Sequence, residues 1–136
     1  MLNELKVYAA CFISMIIIDF IWIGIVAKNF YVEQLRPIGR IVDGSFAPVI
    51  WAAGLVYVAL SIGIVQFALP KVEAGTSWLG VFGIGALLGF VIYATYDFTN
   101  YSTLKDYTLA MTFADIVWGS ILGGVATCIA KYVRDL

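Results

Sequence analysis

The sequence predicts an all-α fold: an integral membrane bundle of four transmembrane helices with a short interfacial amphipathic helix after the first span. Three observations carry that prediction. Hydrophobic residues make up 62% of the 136 residues and charged residues only 12%, whereas soluble domains run near about 45–50% and about 25%. Four apolar runs are each long enough to cross a hydrocarbon core about 30 Å thick, which takes roughly 20 helical residues. No run shows the alternation of a barrel strand, so each must satisfy its own backbone hydrogen bonds as a helix.

The first run covers 7–27. It is longer than the apolar region of a secretory leader and no small-residue cleavage site closes it, so it reads as a retained span. The connection 28–45 follows. There Tyr31, Leu35, Ile38 and Val42 recur at helical spacing opposite Glu33, Arg36 and Arg40, the pattern of an amphipathic helix at the interface, bent or restarted at Pro37. The second run, 47–69, is bracketed by Pro48 and Pro70 and carries no charge; it reads as scaffold or lipid-facing surface. The third run is 77–98, after the plain turn 70–76. The fourth, 107–130, follows a hydroxyl-rich connection in which Thr103 and Asp106 have capping-box spacing and Asp106 is a candidate N-cap. The expectation is a single four-helix transmembrane domain over 1–136, with both termini on the same side. Lys6, Lys71, Lys131 and Arg134 face one side and Lys28, Arg36, Arg40 and Lys105 the other, so the positive-inside rule does not choose between the faces.

Several function classes drop out. A net charge of −1 leaves no broad basic face for nucleic acid. The absence of His removes the commonest general base and metal ligand. No P-loop, dinucleotide fingerprint, H-E-x-x-H, G-x-S-x-G or C-x-x-C occurs, so neither cofactor nor metal is expected. Cys11 and Cys128 lie inside apolar runs and read as small hydrophobes rather than as a disulfide or metal pair.

The chemistry lies in the acids. Asp19 stands nine residues before Lys28, and Asp115 nine residues after Asp106. At about 1.5 Å per residue both lie about 13–14 Å in from one face, level with each other and near the midplane. An aspartate there costs about 2.5–3.5 kcal/mol on insertion scales, and no Lys or Arg lies at matching depth. Asp19 and Asp115 are therefore candidate acid/base groups or proton carriers, titrating as a pair. Tyr93, Asp97 and Asn100 share a helix side, and Tyr96 stands four before Asn100. The expected arrangement is a vestibule floored by Asp19 and Asp115 and walled by Tyr93, Tyr96, Trp22 and Trp118. Asp97 and Asn100 would stand at its mouth, and Lys28, Arg36, Arg40 and Lys105 would rim it to hold a headgroup. The competing use of the acids is interhelical glue, with Asp19 on the Trp118 indole and Asp115 on that of Trp22.

Small-xxx-small spacings at Gly85/Gly89 and Gly119/Gly123 predict that the third and fourth spans touch, or that one of them meets a second copy. Asp-x-x-Trp occurs twice, as Asp19/Trp22 and Asp115/Trp118, an internal echo of the kind inverted repeats leave. The leading expectation is binding or processing of a lipidic or small amphipathic substrate; the alternatives are proton-coupled small-solute transport as a dimer and an accessory role in a larger membrane complex. The expected partners are membrane lipids and, for the last two, a homodimer mate or larger assembly.

The stretches DFIWIG with the following AKNFY, then YATYDFTNYSTLKDY, then DIVWG resemble the pattern of a small bacterial membrane family catalogued as domain of unknown function 2177. The resemblance runs over nearly the whole chain. It implies a four-span, multi-pass protein of the bacterial inner membrane, and it carries over no reaction and no catalytic residue.

Overall fold

The computed structural model describes residues 2–136. Helix α1 spans Leu2–Ile21 and continues as a π-turn over Trp22–Val26. A short helix α2, Lys28–Leu35, leads to a two-stranded hairpin, β1 Ile41–Val42 and β2 Ser45–Phe46. Helix α3, Ile50–Gly63, is extended by a π-turn, Ile64–Ala68, and a 3-10 turn, Leu69–Lys71. Helices α4, Trp78–Thr103, and α5, Leu109–Arg134, complete the chain. Among the described residues, four helical segments are long and apolar enough to cross a membrane: Leu2–Val26, Ile50–Lys71, Trp78–Thr103 and Leu109–Arg134. The protein is an all-α membrane bundle.

The element ends differ from the expected ones for local reasons. The second span starts at Ile50 rather than 47, because Pro48 and the extended Val49 hold the chain out of helix until then. Its end passes through a widened π-turn before Pro70, whose ring and missing N–H forbid a regular α-turn. The third helix runs five residues beyond 98. Ser102 and Thr103 lie within it, their hydroxyls donating back to the Thr99 carbonyl at 2.9 and 2.8 Å. Asp106 is not the cap of the last helix; Thr108 is, its Oγ1 accepting from the Met111 amide at 3.1 Å.

The short helix expected within the connection 28–45 is present as α2, but it covers only the first part of that connection. Helix α2 stops at Leu35, ahead of Pro37, and the hairpin takes over. Asp43 (φ 49°) and Gly44 (φ 70°) are both left-handed, with Val42 and Ser45 paired across them. That is a type I′ two-residue turn, for which Asp-Gly is among the preferred sequences.

Helix α5 is the hub: half of its apolar window is buried, against 17–22% in the other three spans. Its contact with α4 is the closest in the molecule. A Cβ on Gly89 would collide with the Gly119 carbonyl, and one on Gly85 with the Gly123 carbonyl and Thr127. Backbones approach this closely only where side chains are absent. On the other side of α5, Val7, Cys11 and Met15 of α1 meet Trp118, Leu122, Ala126 and Ala130, with Leu60, Ile64 and Leu69 closing the core. The two ends of the chain meet where Asn3 Nδ2 donates to the Arg134 carbonyl at 3.3 Å.

Candidate functional site

The three acids are brought to one level. Asp19 lies seven residues before the end of the Leu2–Val26 span, Asp97 six before the end of α4, and Asp115 six after the start of α5. Each is thus about 9–10 Å along its helix from the same end of the bundle, shallower than the 13–14 Å expected for Asp19 and Asp115. Asp97 is deeper than expected because α4 continues past it. It is not at a mouth: its relative exposure is 0%, against 7% for Asp19 and 8% for Asp115.

Each acid has its own donor. Asp19 accepts from Trp118 Nε1 at 2.7 Å through one oxygen and from the Tyr57 hydroxyl at 2.6 Å through the other. Asp115 Oδ1 accepts from the Tyr31 hydroxyl at 2.8 Å, and Tyr31 in turn accepts from Trp22 Nε1 at 3.3 Å. Asp97 Oδ1 accepts from the Tyr107 hydroxyl. The second oxygen of Asp97 meets no donor, and among the described residues it is the one buried side-chain polar atom left so. The Asp97 carboxyl stands within hydrogen-bonding reach of that of Asp115.

Trp22 and Trp118 stack face to face, with centroids 4.5 Å apart and planes 10° from parallel. The two Asp-x-x-Trp segments therefore reach across one another. Asp19 takes the indole of Trp118 directly, while the Trp22 indole reaches Asp115 through Tyr31 rather than directly. The result is a continuous polar chain: Tyr57, Asp19, Trp118 stacked on Trp22, then Tyr31, Asp115, Asp97 and Tyr107. No Lys or Arg takes part in it. Burial and the neighbouring Asp115 carboxyl push the Tyr31 phenol well above its usual range. Burial and the hydrogen bond to Asp97 do the same for Tyr107. Both remain protonated donors.

The expected vestibule is replaced by a closed arrangement. The space beside Tyr93 is apolar, lined by Met15, Leu60, Ile64, Ile92 and Gly119 among others, and holds about 10 Å³, room for one water at most. None of the three acids lines it. Tyr93 lays its ring on Gly119, where a Cβ would strike it, and lies within electrostatic reach of all three acids. Tyr96 does not wall the site; it points outward at 60% exposure, because it is one residue off the side that Tyr93, Asp97 and Asn100 share. Asn100 lies beside the Tyr107 hydroxyl.

The four expected rim cations do not converge. Lys28 donates to Ser45 Oγ at 2.8 Å, tying α2 to the hairpin. Lys105 lines an open surface groove of about 430 Å³ with Glu33, Gln34, Pro37, Asp106, Tyr107 and Thr108. Arg40 lines a separate trough, and Arg36 is exposed and lines neither.

Three participants escaped sequence reasoning: Tyr31, Tyr57 and Tyr107. Tyr57 left a signal, since it sits inside an apolar run rather than at its interfacial ends, where tyrosines usually gather.

The sequence profile of the family described as "Predicted membrane protein (DUF2177)" matches residues 4–132. The chain belongs to this family. The family's description agrees with the four candidate spans and names no activity. Neither the curated proteins nor the solved structures gave a match.

Proposed function

We propose that this DUF2177 member is a small proton-coupled transporter of the bacterial inner membrane, exchanging a proton held between Asp97 and Asp115 for a small amphipathic cation. The observation that supports this reading is the second oxygen of Asp97, buried and without a donor beside another carboxyl. Acids serving only to fasten helices would each hold donors on both oxygens, as Asp19 does. Two carboxyl groups in contact hold one proton between them and titrate as a unit.

The charge count supports the same reading. With no Lys or Arg in the chain of contacts, neutrality must come from protons or from a bound cation. The stacked indoles and the Tyr31 ring offer π-faces of the kind that attract organic cations. Tyr107 touches both Asp97 and the surface groove, which makes it the exchange route. Loss of the proton would leave two facing charges. At about 4 Å and an effective dielectric constant of about 20 they repel by about 4 kcal/mol, enough to shift a two-state packing about a thousandfold. The sealed form is then the proton-loaded one. A homodimer is the proposed working unit, since helices packed this closely enclose no path to the far end of the bundle. The sealed form admits neither a lipid nor a cation at the acids, so entry belongs to the deprotonated packing, and the donor-free Asp97 oxygen there favours a cation over a lipid to be processed.

The test uses proteoliposomes with a pH dye inside. Adding tetraphenylphosphonium outside should raise the internal pH, and Asp97→Asn and Asp115→Asn should abolish the response. A wild-type response no larger than that of protein-free liposomes, or an Asp97→Asn response equal to wild type, overturns the reading.

A further inference from the structure

We infer that the trough between the hairpin and the start of α3 is a binding site for one anionic phospholipid, with Arg40 holding the headgroup. It lies outside the acid chain and does not depend on the transport reading.

The trough has a volume of about 370 Å³ and is lined by Arg40, Phe46, Pro48, Val49, Ala52, Ala53 and Val56. Its composition is divided by position. One cation stands at the hairpin end, and the rest is apolar. The Ala47 amide donates to the Arg40 carbonyl at 2.8 Å, which pins Arg40 at the root of the hairpin, beside the entry to α3. The apolar floor then runs from Val49 to Val56 along a membrane-spanning helix. Those seven steps cover about 10 Å, most of the hydrocarbon depth of one leaflet, about 15 Å. Ala52 and Ala53 are the low part of the floor, and Trp51 and Leu55 stand proud beside them at 72% and 57% exposure.

Charge decides the occupant. No carboxylate lines the trough, and among the described residues the Arg40 guanidinium takes part in no ion pair. The other surface groove at this end carries Glu33 and Asp106 beside a single Lys105, and would repel an anion. A basic head above an apolar slot at the membrane interface complements a phosphodiester with its acyl chain below. Phe46 gives the site a connection inward: it walls the trough and packs against the cluster of Tyr31, Tyr107 and Met111.

The test is native mass spectrometry of the full chain in mild detergent with equal phosphatidylglycerol and phosphatidylcholine of matched acyl chains. Wild type should retain phosphatidylglycerol preferentially. Arg40→Gln should lower that preference about fivefold, the share of one interfacial basic side chain, while Arg36→Gln and Asp97→Asn should leave it unchanged. Ala53→Trp should reduce retention of both lipids by filling the slot. An unchanged preference in Arg40→Gln overturns the site. So does an equal loss in Arg36→Gln, which would mean diffuse surface charge, or displacement of the lipid by inorganic phosphate at matched concentration, which would mean a soluble-anion site.

Discussion

Removing the Trp118 indole N–H tests whether Asp19 is held as the geometry has it. Trp118→Phe keeps an aromatic ring against Trp22 and deletes the donor of the 2.7 Å bond to Asp19, and the packing lost with the smaller ring cancels in a double-mutant cycle. Asp19→Leu deletes the acceptor and strands two donors, the Trp118 indole and the Tyr57 hydroxyl. Hydrogen bonds between membrane helices couple by about 0.6 kcal/mol on average and reach about 1.7. A short, buried bond to a carboxyl group belongs at the upper end, so the Asp19/Trp118 double-mutant cycle should give about 1–1.7 kcal/mol. The Asp19/Tyr57 cycle, with Tyr57→Phe, should give a similar value from its 2.6 Å bond. The Asp19/Trp22 cycle should give nearly nothing, because the Trp22 N–H is spent on Tyr31. The assay is reversible unfolding in mixed micelles with increasing denaturing detergent, followed by far-ultraviolet circular dichroism. An Asp19/Trp118 coupling within about 0.3 kcal/mol of zero, the scatter of independent sites, would refute the reasoning. So would an Asp19/Trp22 coupling as large as that of Asp19/Trp118.

Two further outcomes follow from packing and capping. Gly89→Ala should destabilise the bundle by about 1–3 kcal/mol in the same assay, because its methyl meets the Gly119 backbone and no side-chain change can make room. Gly119→Ala meets the Tyr93 ring first, so Tyr93→Leu should recover part of its loss. Thr108→Ala should cost about 1 kcal/mol by removing the cap of α5, whereas Asp106→Ala should fall within about 0.5 kcal/mol of wild type.

Sequence legibility followed the physics of each feature. Four spans were readable because bilayer thickness sets their length and apolar content independently of packing. The α4–α5 contact was readable too, since Gly85, Gly89, Gly119 and Gly123 fall at the one spacing that lets backbones touch. Asp43-Gly44 is a hairpin-turn dipeptide, but Tyr31, Leu35, Ile38 and Val42 fit helical spacing over the same connection, and periodicity alone points to the helix. The burial of the acids was inferable from the insertion cost, whereas their partners were not. Depth along a helix places a residue on the membrane normal, and it says nothing about rotation around the bundle. Depth alone therefore puts Asp97 near the mouth and Asp115 level with Asp19. Tyr107 and Tyr31 lie in connections, whose paths only the folded chain reveals.

The pairing of Asp97 with Asp115 is tested most directly by infrared difference spectroscopy of the protein in nanodiscs across a pH titration. A protonated-carboxyl C=O band should be present at neutral pH, should shift on deuteration, and should vanish in both Asp97→Asn and Asp115→Asn while surviving in Asp19→Asn. A spectrum with no protonated carboxyl at neutral pH, or a band that disappears only when Asp19 is changed, would contradict the account.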